Sequence, residues 1–325
     1  DVLGSRGLGD VYKRQVVYYL HDFYTCCINP NLMKNDNQSC IDRDIPCEGC
    51  YYFGKKAEHL EKVRHFLRAF ENRITFVAPA EYTKKHWIAF YPEYADKTIV
   101  ISHQKAIGEY SGNKETALNE EPLRLGFVGA QKQIKGWDIF KKVVAAAEDA
   151  GCNYDFYYFG NGSEKVDGVT AVNVDIATQG KDAMIKNLKE KRISAVFLVC
   201  VCGETYSYTT YESHAANCYI FAMKSGGNIP YTVEKNHWGH VFSTEEELVK
   251  GILDEKTLRE EINTWKKNAA PGAAAYMDND DILKQFSDKR KAVVDWKSEQ
   301  ISLEQRLKRA ALNVIFKELR LKNKQ

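Results

Sequence analysis

Hydrophobic residues recur along this chain with two different periods, and the switches between them mark its elements. The dominant run is Ile193-Ser-Ala-Val-Phe-Leu-Val-Cys-Val-Cys202, apolar on both faces and rich in β-branched residues. Too short to cross a membrane, it predicts a central strand of a parallel sheet. From Leu123 onward, strand and helix patterns alternate: strand Leu123 to Val128, helix Trp137 to Ala150, strands Asn153 to Phe159 and Val169 to Val174, helix Asp182 to Glu190. With the run at Ile193 and a further strand at Tyr219 to Met223, this predicts a doubly wound α/β sheet. Upstream, Val16 to Leu20, Ile74 to Ala78 and Ile99 to His103 read as strands. Leu60, Val63, Phe66, Leu67 and Phe70 recur at helical spacing within Lys55 to Arg73, an amphipathic helix with a basic outer face, and Glu81 to Trp87 opens another. The polar stretch Gln104 to Pro122 reads as a linker between two halves.

Composition narrows the class. With 325 residues, 44% hydrophobic and 28% charged, the chain has material for two cores. A net charge of +2 leaves a nucleic-acid partner without support. No apolar run approaches the roughly 20 residues of a membrane helix. Nine cysteines, an odd number without secretory features, fit a reducing cytoplasm better than a disulfide framework. The opening segment, residues 1–15, holds three glycines but no preceding strand to deliver a phosphate loop. It resembles translated adapter sequence found at the ends of metagenomic reading frames, so the native protein is expected to begin after it and its first domain to be incomplete.

The candidate chemistry starts where the dominant strand ends. Glu204 and Glu212 stand eight positions apart, one after that strand and one at the start of a helical pattern. The carboxyl edge of an open α/β sheet is where ligands bind, so both carboxylates can face one crevice; a loop glutamate and a solvated helix glutamate are the plainer alternative. His21 and Asp22 follow the first strand at the same kind of edge, with a structural histidine as the alternative. Tyr206, Tyr208 and Tyr211 serve equally as pocket wall or core. Cys27, Cys40, Cys47 and Cys50 form a C-x12-C-x6-C-x2-C series in a polar insertion spanning 26–50. Four thiolates suit a structural Zn²⁺, with Cys26 an alternative to Cys27 and unligated loop thiols the other reading.

Three motifs in order carry a family likeness: Leu125-Gly-Phe-Val-Gly129 followed by Ile134-Lys135-Gly136-Trp137, then the Glu204/Glu212 pair, then Ser225-Gly226-Gly227-Asn228 after the next strand. Together they resemble the retaining glycosyltransferases of GT-B architecture, family 4 in particular, over most of the chain. The resemblance implies two Rossmann-like doubly wound domains facing a cleft, the first incomplete. It divides the chain into an acceptor-side domain (16–103), linker (104–122), donor domain (123–277) and C-terminal helices (278–325). It also implies transfer of a sugar, with retention, from a UDP- or GDP-sugar to a glycan or lipid-linked acceptor in bacterial surface polysaccharide synthesis, without a catalytic metal. His21 then faces the donor sugar, Glu204 binds its hydroxyls, Glu212 takes the ribose, and Lys135 meets the diphosphate with Gly129, Gly136 and the amides of Ser225, Gly226 and Gly227. The family's arginine after the strand glycine is Ala130 here, leaving Lys132 or Gln131 to substitute. Ala80 likewise replaces a serine. A catalytically silent sugar-nucleotide-binding or scaffold module is the rival reading. The basic C-terminal helix is either solvated or a peripheral contact with the inner face of the membrane.

Overall fold

The computed structural model describes residues 16–35, 38–41, 46–109, 122–268, 273–281 and 284. The expected adapter segment, most of the expected linker and most of the expected C-terminal helices therefore lie outside the described residues. The described residues up to Asn279 belong to one compact unit that contains every element named below.

A three-stranded parallel sheet opens the described chain, in the order β1 (Val16–Tyr19), β4 (Ile74–Ala78), β5 (Thr98–Val100). Between β1 and β4 come the insertion, with its two-residue strands β2 (Met33–Lys34) and β3 (Gln38–Ser39), and helix α1 (Phe53–Ala69). Helix α2 (Glu81–Ile88) links β4 towards β5. Leu20, Phe23, Phe76, Trp87, Tyr91 and Tyr94 make the core of this region. Two of its polar groups meet Thr25: the Trp87 indole N–H donates to Thr25 Oγ1 at 2.9 Å, and the Tyr91 hydroxyl donates to the Thr25 carbonyl. On α1 only Leu67 is fully buried, in keeping with its charged outer face.

The second sheet has six parallel strands: β7 (Leu123–Val128), β8 (Tyr154–Gly160), β9 (Val169–Asn173), β10 (Ala195–Leu198), β11 (Tyr219–Met223) and β12 (Gly239–Phe242). Their spatial order is β9-β8-β7-β10-β11-β12. In units of chain order this reads 3-2-1-4-5-6, the doubly wound arrangement, and the direction of winding reverses between β7 and β10. Helices α3 (Trp137–Asp149), α4 (Ile176–Gln179), α5 (Ala183–Glu190), α6 (Tyr208–Ala215), α7 (Asn228–Asn236), α8 (Glu245–Leu253) and α9 (Glu255–Asn268) connect and cover it. Both faces are apolar. Phe127, Phe140, Phe156, Phe197 and Phe221 fill one, and Phe159, Ile185, Leu188, Val196 and Ile220 the other.

Two expectations need correction. The apolar run at 193–202 forms a strand only over Ala195–Leu198; residues 199–203 leave the sheet, with Val201 N–H bonded to the Ile134 carbonyl at 3.0 Å and Gly203 N–H to the Asn31 carbonyl at 3.2 Å. Hydrophobicity there reports burial beneath neighbouring loops, not ladder pairing. The expected linker begins as a strand: β6 (Gln104–Glu109) pairs antiparallel with β13 (Ala273–Asp278), Ala275 opposite Ile107. A partner so distant in sequence leaves no local signal.

Helix α2 has Ala80 as its N-cap, in extended conformation and without a side-chain cap bond. A serine there would accept from the first-turn amides, typically worth about 1 kcal/mol. Ala80→Ser is therefore expected to raise the midpoint of thermal unfolding by roughly 2 °C; differential scanning calorimetry showing no gain would mean those amides already have partners.

Candidate functional site

Glycine geometry locks the loops at the reversal point together. Gly136, the residue before α3, has φ 83°, and a Cβ on it would lie 2.1 Å from the Val199 carbonyl oxygen, so only glycine lets the loop after β7 reach the chain leaving β10. The Ile134 carbonyl accepts from Val201 N–H and, at 3.0 Å, from the Cys200 thiol. On the other side Gly227, with φ 70° and ψ −121°, forms an isolated parallel bridge with Glu204. A Cβ there would lie 2.5 Å from the Glu204 nitrogen. Asn228 N–H completes the clasp by donating to the Glu204 carbonyl at 2.8 Å.

These contacts build a cavity of about 240 Å³ at the carboxyl edge of β7 and β10, lined by Gly129, Ala130, Lys135, Cys200, Glu204, Tyr206, Tyr208, Thr209 and Ile229 among others. Inside it, the Lys135 ammonium donates to Glu204 Oε1, with the two side chains 36% and 18% exposed. Burial opposes the charge on Lys135, but the Glu204 carboxylate outweighs it and holds the ammonium above its ordinary value. Behind them Cys200 and Cys202 lie with their sulfurs 3.3 Å apart. The Cys202 contact, burial and the nearby carboxylate hold the Cys200 thiol well above the usual range.

Not every expected site residue reaches this cavity. Glu212 is buried on the second turn of α6, away from the lining, and burial alone pushes its carboxyl up to about 7. Asn228 is 1% exposed, and its Oδ1 has no hydrogen-bond partner among the described residues, as is true of Thr210 Oγ1, Ser213 Oγ and His214 Nδ1. Gly226 and Gly227 are buried beneath Glu204, and Ser225 is half-buried next to them. The two substitutes for the missing arginine are displaced. Gln131 both donates to and accepts from the Glu164 backbone, at 2.7 and 2.8 Å, and Lys132 is exposed outside the lining. Tyr206 and Tyr208 line the cavity, whereas Tyr211 stacks beneath Tyr206 at 4.9 Å.

His21 sits behind the cavity wall, with the rings of Tyr208 and His103 between them. Its imidazole stacks on Tyr19 (5.3 Å) and on His103 (5.4 Å), and His103 stacks in turn on Tyr208 (5.8 Å, 6° between planes). Burial, with the neighbouring His21, lowers the proton affinity of His103. The Thr205 hydroxyl donates to the His21 carbonyl, and the Thr83 hydroxyl donates to the Thr205 carbonyl at 2.6 Å. Thr205 thus ties the loop carrying Glu204 to both β1 and α2, a role that no spacing in the sequence announces. The lining residues Ser207 and Thr209, whose hydroxyls lie 3.0 Å apart, fall between the two glutamates without any spacing that marks them.

The insertion gathers its cysteines as well. Cys27, Cys40, Cys47 and Cys50 line one small cavity, whereas Cys26 is buried in the core beside Thr25. A wider cavity, about 910 Å³, lies by β12, α9 and β13, and its described lining carries Glu260 and Glu261 but neither lysine nor arginine. The cation that Lys135 supplies in the smaller cavity has no lysine or arginine counterpart among the described lining residues of the wider one, and the candidate site is placed in the smaller.

No family model and no curated protein matches the sequence. Among solved structures, HepE from Anabaena, crystallised with UDP and glucose, aligns at 15% identity with a TM-score of 0.51, covering 79% of this chain and 66% of its own. Sucrose-phosphate synthase from Thermosynechococcus elongatus aligns at 14% identity and a TM-score of 0.50, covering 81% and 64%. The fold is that of the GT-B glycosyltransferases. At such identities the likeness is one of fold alone, and the chain spans slightly less than two thirds of each of these proteins. Within the GT-B fold the six-stranded sheet is Rossmann-like, and the Lys135–Glu204 pair stands at its reversal point.

The state of Glu212 sets a pH dependence. In the unfolded chain a glutamate ionises near 4.5; in the folded chain this one holds its proton to about 7. Between those values the folded state binds more protons than the unfolded, so stability falls as pH rises, and the full penalty is present above pH 7. Glu212→Gln is expected to stabilise the protein at pH 8, by on the order of 3 kcal/mol at most, and to be neutral near pH 4. Denaturant unfolding at the two pH values checks this; an equal effect at both would show that Glu212 is not held protonated.

Proposed function

We propose that this chain is a retaining glycosyltransferase of family 4 type, a hexosyltransferase moving a sugar from a nucleotide-diphosphate donor to a glycan or lipid-linked acceptor in bacterial surface polysaccharide synthesis. One observation carries the reading: Lys135 and Glu204 meet in a cavity at the reversal point of a 3-2-1-4-5-6 parallel sheet. A cation and a hydroxyl-binding carboxylate side by side match the two ends of a glycosidic phosphate. HepE is known with bound UDP-glucose, which makes a UDP-sugar the first donor to test.

In this reading the diphosphate draws Lys135 away from Glu204, so negative charge develops on the leaving oxygen beside an ammonium in a partly water-excluded site. Glu204, freed, accepts hydrogen bonds from the donor sugar. Glu212 ionises as ribose hydroxyls reach it, and the unpartnered Oδ1 of Asn228 takes a further donor. As the anomeric bond breaks, an oxocarbenium-like centre forms, the departing phosphate accepts the acceptor hydroxyl's proton, and the new bond forms on the same face. His21, through the His103–Tyr208 stack, would close the acceptor side. No divalent metal is assigned to the donor.

One feature favours the silent-module reading: Lys135 is the single cation on the described lining, with Ala130 beside it and Gln131 engaged elsewhere. Donor binding and donor cleavage separate the two. UDP, GDP, ADP and their sugar conjugates are expected to include one that stabilises the protein by about 2–3 kcal/mol when present at a hundred times its dissociation constant. Lys135→Ala and Glu212→Ala should each abolish that shift. Sugar release or transfer from the stabilising donor marks the enzyme, and stabilisation without turnover marks the binding module. A chain that no nucleotide stabilises would sink both.

A further inference from the structure

We infer that the insertion between β1 and α1 is a structural zinc site, with Cys27, Cys40, Cys47 and Cys50 as its four thiolate ligands. All four line the same cavity, whose volume of about 30 Å³ admits a single small occupant. Beside the sulfurs the wall holds the apolar Met33, Pro46 and Phe53, with Lys34, Lys56 and Tyr52 as its other polar members. Cys27, Cys40, Cys47 and Cys50 take part in no disulfide, so none closes the loop.

The surrounding charges fit a metal better than four neutral thiols. A Zn²⁺ with four thiolates carries a net charge of about −2. Two lysines stand on the wall to meet it: the Lys56 ammonium donates to Cys47 Sγ at 2.7 Å, and Lys34 donates to the Pro46 and Glu48 carbonyls at 3.0 and 2.7 Å, cradling the Cys47–Cys50 turn. Binding releases the thiol protons to solvent and leaves both lysines as countercharges. Zn–S bonds of about 2.3 Å bring tetrahedral sulfurs to roughly 3.8 Å of one another. No three of these four sulfurs lie within 4.8 Å of each other, so the loop contracts on binding.

The need for such a clasp is plain in the insertion itself. Among its described residues the regular structure is one hairpin of two-residue strands, and the buried apolar side chains beyond the cysteines reduce to a few, including Leu32, Met33 and Ile41. Yet it supports the donor loop: the Asn31 carbonyl holds Gly203 N–H, and a Cβ on Gly203 would meet Ile41 Cδ1 at 2.7 Å. The competing cluster, Cys200, Cys202 and Glu204, is tighter, but Lys135 already occupies its carboxylate.

Metal analysis of the full chain purified without chelator, followed by Co²⁺ substitution, tests the assignment. The expected result is about one zinc per chain, a strong thiolate-to-cobalt charge-transfer band and tetrahedral d–d bands, with chelation lowering the unfolding temperature. Cys47→His, which can still ligate, should keep the metal and move the d–d bands to shorter wavelength. The Cys200→Ser/Cys202→Ser variant should leave the spectrum unchanged. Absence of the charge-transfer band in the wild-type chain, or its loss only in the Cys200/Cys202 variant, would overturn the assignment.

Discussion

The ion pair between Lys135 and Glu204 is the contact on which the geometry of this site turns. Each member comes from a loop that leaves a different strand, β7 or β10, at the point where the sheet reverses its winding. In a doubly wound sheet the helices on either side of such a point run off to opposite faces, which leaves a crevice that only loops can fill. Attraction alone would not hold the loops there, because two half-desolvated charges gain little over hydration. Backbone fit supplies the rest. Gly136 lies flat against Val199, Gly227 against Glu204, and carbonyls and amides pair across both seams.

The same loop couples the two sheets. Thr205, next to Glu204, donates to the strand end carrying His21 and accepts from α2, while Gly203 leans on the insertion. A displacement of β1 or of the cysteine-rich segment therefore reaches the Glu204 carboxylate through two or three hydrogen bonds. The ring stack from Tyr19 through His21 and His103 to Tyr208 gives a parallel route on the cavity side. Packed rings of this kind transmit position because they cannot compress.

What was legible in the sequence follows how local each feature is. Strands β1, β4, β7 and β11 show in their apolar periodicity, since their residues pack on both faces of a sheet. The end of β10 does not show, because Val199 and Cys200 are as buried under loops as Ala195 and Val196 are in the sheet. Strand β6 escapes notice for the opposite reason: Gln104 and Lys105 are polar, and their pairing partner lies far along the chain. Lys135 and Glu204 could be named from motifs. That they touch, that Glu212 is set back in α6, and that Gln131 is committed to Glu164 depend on tertiary geometry to which spacing is blind.

The folded chain carries polar groups that its own packing leaves unsatisfied on α6 and α7, behind the cavity lining rather than on it. Glu212 is held from water with only burial acting on it, and the Oδ1 of Asn228 and hydroxyls of Thr210 and Ser213 have no partner among the described residues. Buried groups of this kind typically cost about 1–3 kcal/mol each. Random imperfections would scatter through the molecule, yet these sit on α6 and at the start of α7, the two helices that follow β10 and β11. Hydrophobic residues at those positions would make a more stable protein. Unmet hydrogen-bonding capacity gathered on two successive helices is a local conflict between residue choice and packing, and such conflicts mark places where stability is not the only constraint on the sequence.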